Sequence, residues 1–316
     1  MQTRPALTLF TLLLAACAVE EPWEDPEEIE LRPCSNCKWG PPLLNSHGVN
    51  GVPVSALDTT GAFHDGWRLV EVRVAGDLGV IGREVHDVHA EQGVLYGVDD
   101  WGVVVSGQQF VASLWTIELE ATGAKEYLQI THFVPDADAA RYTFIASASS
   151  EGVGNPKFHT CPKDEDTGDF SAVLFADLDV DKASGTHLER PDTLYFACAA
   201  AAVGKAAVWG YSPWSTDAST HQTASRAVRA DYCGNGQSYT QSGKPLQLSD
   251  VHGINDFTDP GQDNEAFWGK RGAVCLGTPR YVEPWEVVCN GDKLPACKDT
   301  DFDDHPAAVL WSKVWL

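Results

Sequence analysis

GYSPWSTDASTHQTASRAVRADYCGNGQSYTQSGKPLQLSDVHGI, residues 210–254, brings a helix, a cysteine, several aromatics and a turn within a short distance of one another. Ser215, Thr216 and Asp217 follow the Pro213-Trp214 turn, and each carries a side-chain oxygen suited to capping a helix N-terminus. Gly234 suits the left-handed position beyond a helix end. The spacing predicts one principal helix near 217–232. On it His221, Ala224, Ala227, Val228 and Tyr232 share a face with Asp231 beside them, while Gln222, Arg226 and Arg229 fall on the opposite, solvent-suited side. Alanine dominates the inward face, so a neighbouring sheet or helix can approach closely. The arginines sit in the last turns, where cations complement the helix dipole. Beyond Ser242-Gly243, the alternating run from Leu246 to Val251 reads as a strand.

Outward from this unit the chain reads as strands. Val70, Val72 and Val74 alternate with Glu71 and Arg73; Trp115, Ile117 and Leu119 alternate with Thr116, Glu118 and Glu120. Leu128–Val134, Tyr142–Ala148, Ala172–Leu178, Thr193–Cys198 and Ala206–Gly210 continue the pattern, and glycines such as Gly93, Gly97 and Gly102 punctuate it. Ala307–Leu316, with Trp311 and Trp315, suggests a short docking helix or strand. The expected class is α+β, mainly β: an antiparallel, disulfide-stabilised β-rich ectodomain with one principal helix.

The start of the chain has a different character. Arg4 and the apolar run Ala6–Leu14 resemble a signal peptide, too short to span a bilayer, and Leu14-Ala15-Ala16-Cys17 resembles a bacterial lipobox. Lipid on Cys17 would tether the rest to a membrane, with an outer-membrane envelope location expected from Ala18 at the next position. Residues 20–30, EEPWEDPEEIE, read as a solvated spacer. The expected organisation is a signal over 1–16, an acidic, proline-rich tether over 17–47, a glycine-punctuated β module over 48–125, a second domain over 126–292 and a C-terminal extension over 293–316.

Lys and Arg number 22 against 45 Asp and Glu, a net charge of -23, which argues against nucleic-acid binding because phosphate counterions are released by a basic surface. Of nine cysteines, setting Cys17 aside leaves an even set: Cys34, Cys37, Cys161, Cys198, Cys233, Cys275, Cys289 and Cys297. In an exported chain such a set reads as a disulfide framework whose pairing the sequence does not choose. Zinc at Cys34-Ser35-Asn36-Cys37 would need a second close pair, and a redox C-x-x-C would need a helix start where Pro41-Pro42 follows.

Gly210-Tyr211-Ser212-Pro213-Trp214, His221-Gln222 and Arg229-Ala230-Asp231-Tyr232-Cys233-Gly234-Asn235-Gly236 resemble the signature of ADYC-domain proteins. The resemblance is specific in this segment and extends loosely over 126–292. It implies an exported, lipoprotein-like protein of a type found in myxobacteria, with no established activity. The motif residues it marks here are Tyr211, Pro213, Trp214, His221, Arg229, Asp231, Tyr232, Cys233 and Gly234. Relatives often carry cysteines where this chain has Ala206 and Ala224, which implies a bridge that is missing here.

Catalytic readings of these residues are weak on chemistry. Cys233 beside His221 or His252 would need a depressed thiol pKa, but a helix C-terminal end disfavours thiolate. His221 and Asp231, ten residues apart on a helix, would stand about 15 Å apart, so His221 is expected on a neighbouring carbonyl and Asp231 on local backbone N–H groups. His86 and His89 would converge on a metal only in a helix; in a strand they are expected on different faces. Asp177, Asp179 and Asp181 lack the calcium-loop pattern and read as one solvated strand face, while Asp299, Asp301, Asp303 and Asp304 form a weak calcium candidate. No nucleophile elbow, phosphate loop or dinucleotide fingerprint is present, and no cofactor is implied. The expected role is a surface binding or structural module, its eleven tryptophans suited to envelope polysaccharide or protein. The rival reading is a hydrolase of envelope or prey polymers that draws on Asp231, Asp250 and Asp256.

Overall fold

Alternating apolar residues assemble into one long antiparallel sheet between residues 56 and 198. The computed structural model describes residues 45, 47–49, 52–75, 81–147, 158–241, 246–256, 263–297 and 302–314. The signal segment, the acidic run, Cys17, Cys34, Cys37, Asp299 and Asp301 therefore lie outside the described residues. The strands are β1 (Ala56–Asp58), β2 (Trp67–Ala75), β3 (Ile81–Glu91), β4 (Val94–Asp99), β5 (Val104–Ser106), β6 (Leu114–Leu119), β7 (Ala124–Val134), β8 (Arg141–Ser147), β9 (Phe158–His159), β10 (Ala172–Val180) and β11 (His187–Cys198). They run in the order β1-β11-β10-β8-β7-β6-β2-β3-β4-β5, with β9 beside β8. The sheet crosses residue 125 without interruption, β6 and β7 being hairpin partners.

A sheet this wide twists and curls. On its concave side Trp115 of β6, Phe144 of β8 and Phe196 of β11 meet edge to face, with ring centroids 5.3 to 6.1 Å apart. Each such pair contributes about 0.5–1.5 kcal/mol beyond simple burial. The Leu95 N–H on β4 donates to the Tyr142 hydroxyl on β8 at 2.9 Å, joining strands far apart in the order.

Bulges in this sheet change which residues face in, and three of them fall on stretches singled out in the sequence. In β2 the register shifts between Leu69 and Glu71, so Val70 is exposed and the expected Val70-Val72-Val74 face holds only for Val72 and Val74. In β3 the shift lies between His86 and His89, with Asp87 at φ 52°. Val85 and Val88 are both buried as a result, and both histidines end outside rather than on different faces. In β10 the shift falls at Asp177, φ 53°, leaving Asp177 and Asp181 exposed while Asp179 is buried. The single solvated face expected for these three aspartates is thereby broken.

Strands β10 and β11 are covered on both sides. Ala172, Leu174, Leu194, Phe196 and Cys198 enter the concave core, whereas Val173, Phe175, Tyr195 and Ala197 pack towards two helices. Burial on both faces explains their nearly continuous apolar runs. The helices are α1 (Ala202–Val208) and α2 (Ala218–Arg229). The strand expected at Ala206–Gly210 is thus largely helix: Ala202, Val203, Ala206 and Ala207 are buried at helical spacing, and alanine is the best helix former.

Asp217 caps α2 as its sequence position suggests, accepting from the N–H groups of Ser219 (2.7 Å) and Thr220 (2.9 Å). The helix stops at Arg229, short of 232, because Ala230 rather than Gly234 takes the left-handed cap, at φ 51°. A second sheet, β12 (Leu246–Asp250), β13 (Asp263–Gly269), β14 (Gly272–Leu276) and β15 (Leu310–Val314), in the order β12-β15-β13-β14, packs on α2. Ala224 and Ala227 allow the close approach, meeting Trp268, Leu248 and Leu310 in one cluster. Since the first sheet lies against the other side of α2, Gln222, Arg226 and Arg229 are buried as well, contrary to their expected exposure. The C-terminal segment resolves as strand β15, between β12 and β13.

Among the described residues three disulfides form: Cys161–Cys198, Cys233–Cys289 and Cys275–Cys297. The first closes the end of β11 onto the segment after β9. The second holds the turn after α2 to the hairpin Val288–Cys289 and Asp292–Lys293. The fold is the expected mainly antiparallel, disulfide-stapled α+β class.

Candidate functional site

The motif residues from Arg229 to Gly234 gather where α2 ends. Beyond Ala230, the Asp231 carboxylate accepts from the N–H groups of Asn235 and Gly236, each at 3.0 Å, and so closes the turn. Burial pushes its pKa up, opposed by those donors and by Arg226 and Arg229. Burial also lowers both guanidinium pKa values, which Asp231 counters. Gly234 has φ 62°, and a Cβ there would run into the Arg271 carbonyl and the Arg226 guanidinium, so the position admits only glycine. Cys233 is bridged to Cys289 and has no free thiol.

Tyr232 leads into a buried polar core. Its hydroxyl donates to Glu265 Oε1 at 2.6 Å and accepts from the Arg280 N–H at 3.2 Å. Arg280 Nε donates to the same Glu265 oxygen at 2.6 Å. Arg280 Nη1 and Nη2 donate to the carbonyls of Val228 and Ala227, at the open end of α2. Ser312 on β15 donates to Glu265 Oε2 at 2.6 Å and accepts from Trp268 Nε1 at 2.7 Å. Glu265 is fully buried, and both its oxygens are taken. One ion pair therefore ties the helix C-terminus, the motif tyrosine and two strands of the second sheet. Helix ends leave carbonyls without intrahelical partners, and here an arginine supplies them.

The upstream motif residues serve the other end of the same assembly. The Tyr211 hydroxyl donates to Asp250 Oδ2 at 2.8 Å, and Asp250 also accepts from the N–H groups of His252, Ile254 and Asn255. Trp214, after Pro213, packs on Phe175 with centroids 5.4 Å apart and donates to the Asp138 carbonyl. His221 stacks on Phe175 at 4.9 Å and binds the Val203 carbonyl at 3.0 Å, the kind of partner expected for it. Burial lowers its pKa to about 4. Arg229 keeps its place beside Asp231, and the Ser238 hydroxyl donates to its carbonyl at 2.7 Å.

A family model, the ADYC domain, matches residues 107–282. The chain belongs to the ADYC-domain family. No curated protein and no solved structure matches it. The match opens at Gly107 rather than near 126 and so takes in β6 and β7 of the first sheet. Within the ADYC domain, Asp231, Tyr232, Cys233 and Gly234 act together as a clamp of turn, ion pair, bridge and close backbone approach. Ala206 and Ala224, the two positions where the resemblance implied a missing bridge, fall in one apolar cluster.

Other sequence candidates lie apart from this clamp. Asp256 and His252 are exposed, and Asp231 and Asp250 are both committed to backbone N–H groups. Asp303 and Asp304 stand exposed on the short turn Phe302–Asp304. His86 and His89 face Glu84 and Glu91 at 3.8 and 3.4 Å. What sequence reasoning missed is Glu265 and Arg280. Neither falls in the motif: Glu265 follows Asp263-Asn264 and Arg280 follows Thr278-Pro279, polar settings in which a charge ordinarily signals solvent.

Most of the described tryptophans are spent on packing. Among the described residues the strongly exposed ones are Trp101 and Trp285, at 67% and 61%. Trp101 tips the hairpin between β4 and β5, beside exposed Val103 and Val104. That tip is rigid. Asp99 Oδ1 accepts from the N–H groups of Trp101 (3.0 Å) and Val103 (2.8 Å), Arg83 pairs with Asp99, and the Arg83 guanidinium lies 5.2 Å over the Trp101 ring.

Proposed function

We propose that this ADYC-domain protein is a lipid-anchored module of the cell envelope that binds an envelope protein or polysaccharide through the Trp101 hairpin. The observation that carries the reading is the exposed Trp101-Val103-Val104 tip, held in one conformation by buried Asp99 and by Arg83. A large aromatic fixed before binding loses little entropy on contact, which is how aromatic anchors come to dominate interfaces. The tip adjoins β5, the last strand in the sheet order, whose outer edge can accept a further extended chain. The chemistry of the clamp supports a structural rather than a reactive role, because its carboxylates and hydroxyl are engaged in hydrogen bonds and its cysteine in a disulfide. The lipobox-like Leu14-Ala15-Ala16-Cys17 and the disulfides support placement outside the cytoplasm, with Cys17 as the anchor point.

The test is capture from envelope fractions on immobilised full-length protein, beside a screen for polymer degradation. Trp101→Ala is expected to weaken capture about thirtyfold, equivalent to about 2 kcal/mol, while Trp285→Ala leaves it unchanged. Equal capture by the Trp101 variant, or polymer cleavage by the wild type, would overturn the reading.

A further inference from the structure

Asp65 and Gly66, at the turn that opens β2, both have positive φ, 51° and 82°. Across them His64 and Trp67 exchange two backbone hydrogen bonds, at 2.7 and 2.9 Å. This is the tight two-residue turn that Asp-Gly favours, and it fixes the backbone beneath the His64 and Asp65 side chains. The curl of the sheet brings Asp179 of β10 to the same place. One donor atom from each of His64, Asp65 and Asp179 lies within 4.8 Å of the other two.

The imidazole is the informative group. His64 is only 6% exposed, and its Nε2 stands 3.1 Å from Asp179 Oδ2. Yet among the described residues no hydrogen-bond partner lines up with that nitrogen. A buried ring nitrogen beside a carboxylate, but not aimed along it, is the arrangement of two ligands sharing an ion: bonds of about 2.0–2.2 Å to one metal leave adjacent donors about 3–3.5 Å apart. Asp179 Oδ1 accepts from the Val180 N–H at 2.7 Å, so the carboxylate is oriented from behind, as metal ligands usually are. Asp65 opens to solvent and holds Lys182 Nζ at 2.8 Å. That lysine is 55% exposed on a flexible stem and can swing aside when a cation of higher charge arrives.

We propose that His64, Asp65 and Asp179 bind a divalent transition-metal ion of the zinc class. One imidazole with two carboxylates suits zinc, whereas calcium takes six to eight oxygens. The ion would staple the turn before β2 to β10, strands well separated in the sheet order, and would keep a coordination position open to water on the Asp65 side. The site is distinct from both the motif clamp and the Trp101 hairpin.

The test uses untagged full-length protein and zinc alone, followed by calorimetry, with cobalt as a spectroscopic stand-in whose visible bands report imidazole and carboxylate ligation. A single equivalent is expected. His64→Gln, Asp179→Asn and Asp65→Asn should each weaken it by more than about tenfold, while His89→Gln leaves it intact. Asp65→Asn decides the matter if the buried variants misfold, since asparagine keeps the left-handed turn. The proposal falls if the wild type takes up no zinc, if all three ligand variants bind like the wild type, or if His89→Gln weakens binding as much as Asp65→Asn does.

Discussion

Replacing Arg280 by methionine isolates the clamp. The side chain is 3% exposed and serves Glu265 Oε1 and the carbonyls of Ala227 and Val228. Methionine fills much of the volume but leaves a fully buried carboxylate without its cation and two helix-end carbonyls without donors. Breaking a buried pair by removing one partner costs about 3–5 kcal/mol, and the residual donors Tyr232 and Ser312 keep the loss near the middle of that range, about 4 kcal/mol. For a domain of this size that corresponds to a fall in Tm of about 7 °C. The assay is thermal unfolding of the oxidised protein across a cycle of Arg280→Met, Glu265→Gln and the double variant. The double variant should recover at least about 2 kcal/mol relative to the sum of the singles, because it removes the stranded charge. A cost for Arg280→Met below about 1 kcal/mol, or strict additivity, would refute the idea that this pair carries the clamp.

Acid should loosen the protein well before its carboxylates titrate. His47 and His221 are buried with pKa values lowered from 6.5 to about 4, and burial holds His187 well below 6.5 too. Their folded pKa values lie below the unfolded ones, so the unfolded chain binds more protons between pH 6.5 and 4 and stability falls as pH drops through that window. Each histidine contributes about 1.4 kcal/mol per pH unit there, and urea unfolding of His221→Gln should show a shallower slope than wild type; an unchanged slope would rule His221 out as a source. Separately, converting Cys161 and Cys198 to alanine opens a loop with 37 residues of sequence separation and should cost about 3–4 kcal/mol in denaturant unfolding, a figure that a loss under about 1 kcal/mol would contradict.

Local pattern made parts of this structure legible and hid others. Strands such as β6 and β10 announce themselves by alternation or by a continuous apolar run, and Asp217 announces the start of α2. The bulges at Val70, Asp87 and Asp177 do not, since one extra residue reverses the facing of everything after it without changing composition. The burial of Gln222, Arg226 and Arg229 was hidden for a different reason. Charge on a helix face ordinarily signals solvent, and what covers this face comes from distant parts of the chain on both sides of it, the β10–β11 hairpin before the helix and the β13–β14 hairpin after it. Gln222 reaches the His187 N–H and the Lys270 carbonyl across that gap, contacts no short window contains. The same separation hid the His64–Asp179 meeting, while the motif turn was readable because Asp231 bonds residues only four and five positions on.

Strand β15 sits between β12 and β13 and supplies Ser312 to the Glu265 core. The region that defines the family ends at residue 282, so a fragment trimmed to those limits would lack the middle of its own second sheet and expose Trp268. During synthesis, likewise, the helix that bears the signature emerges long before its cover does. Until residue 314 has been made, the alanine face of α2 and Trp268 lack the central strand of the sheet that covers them.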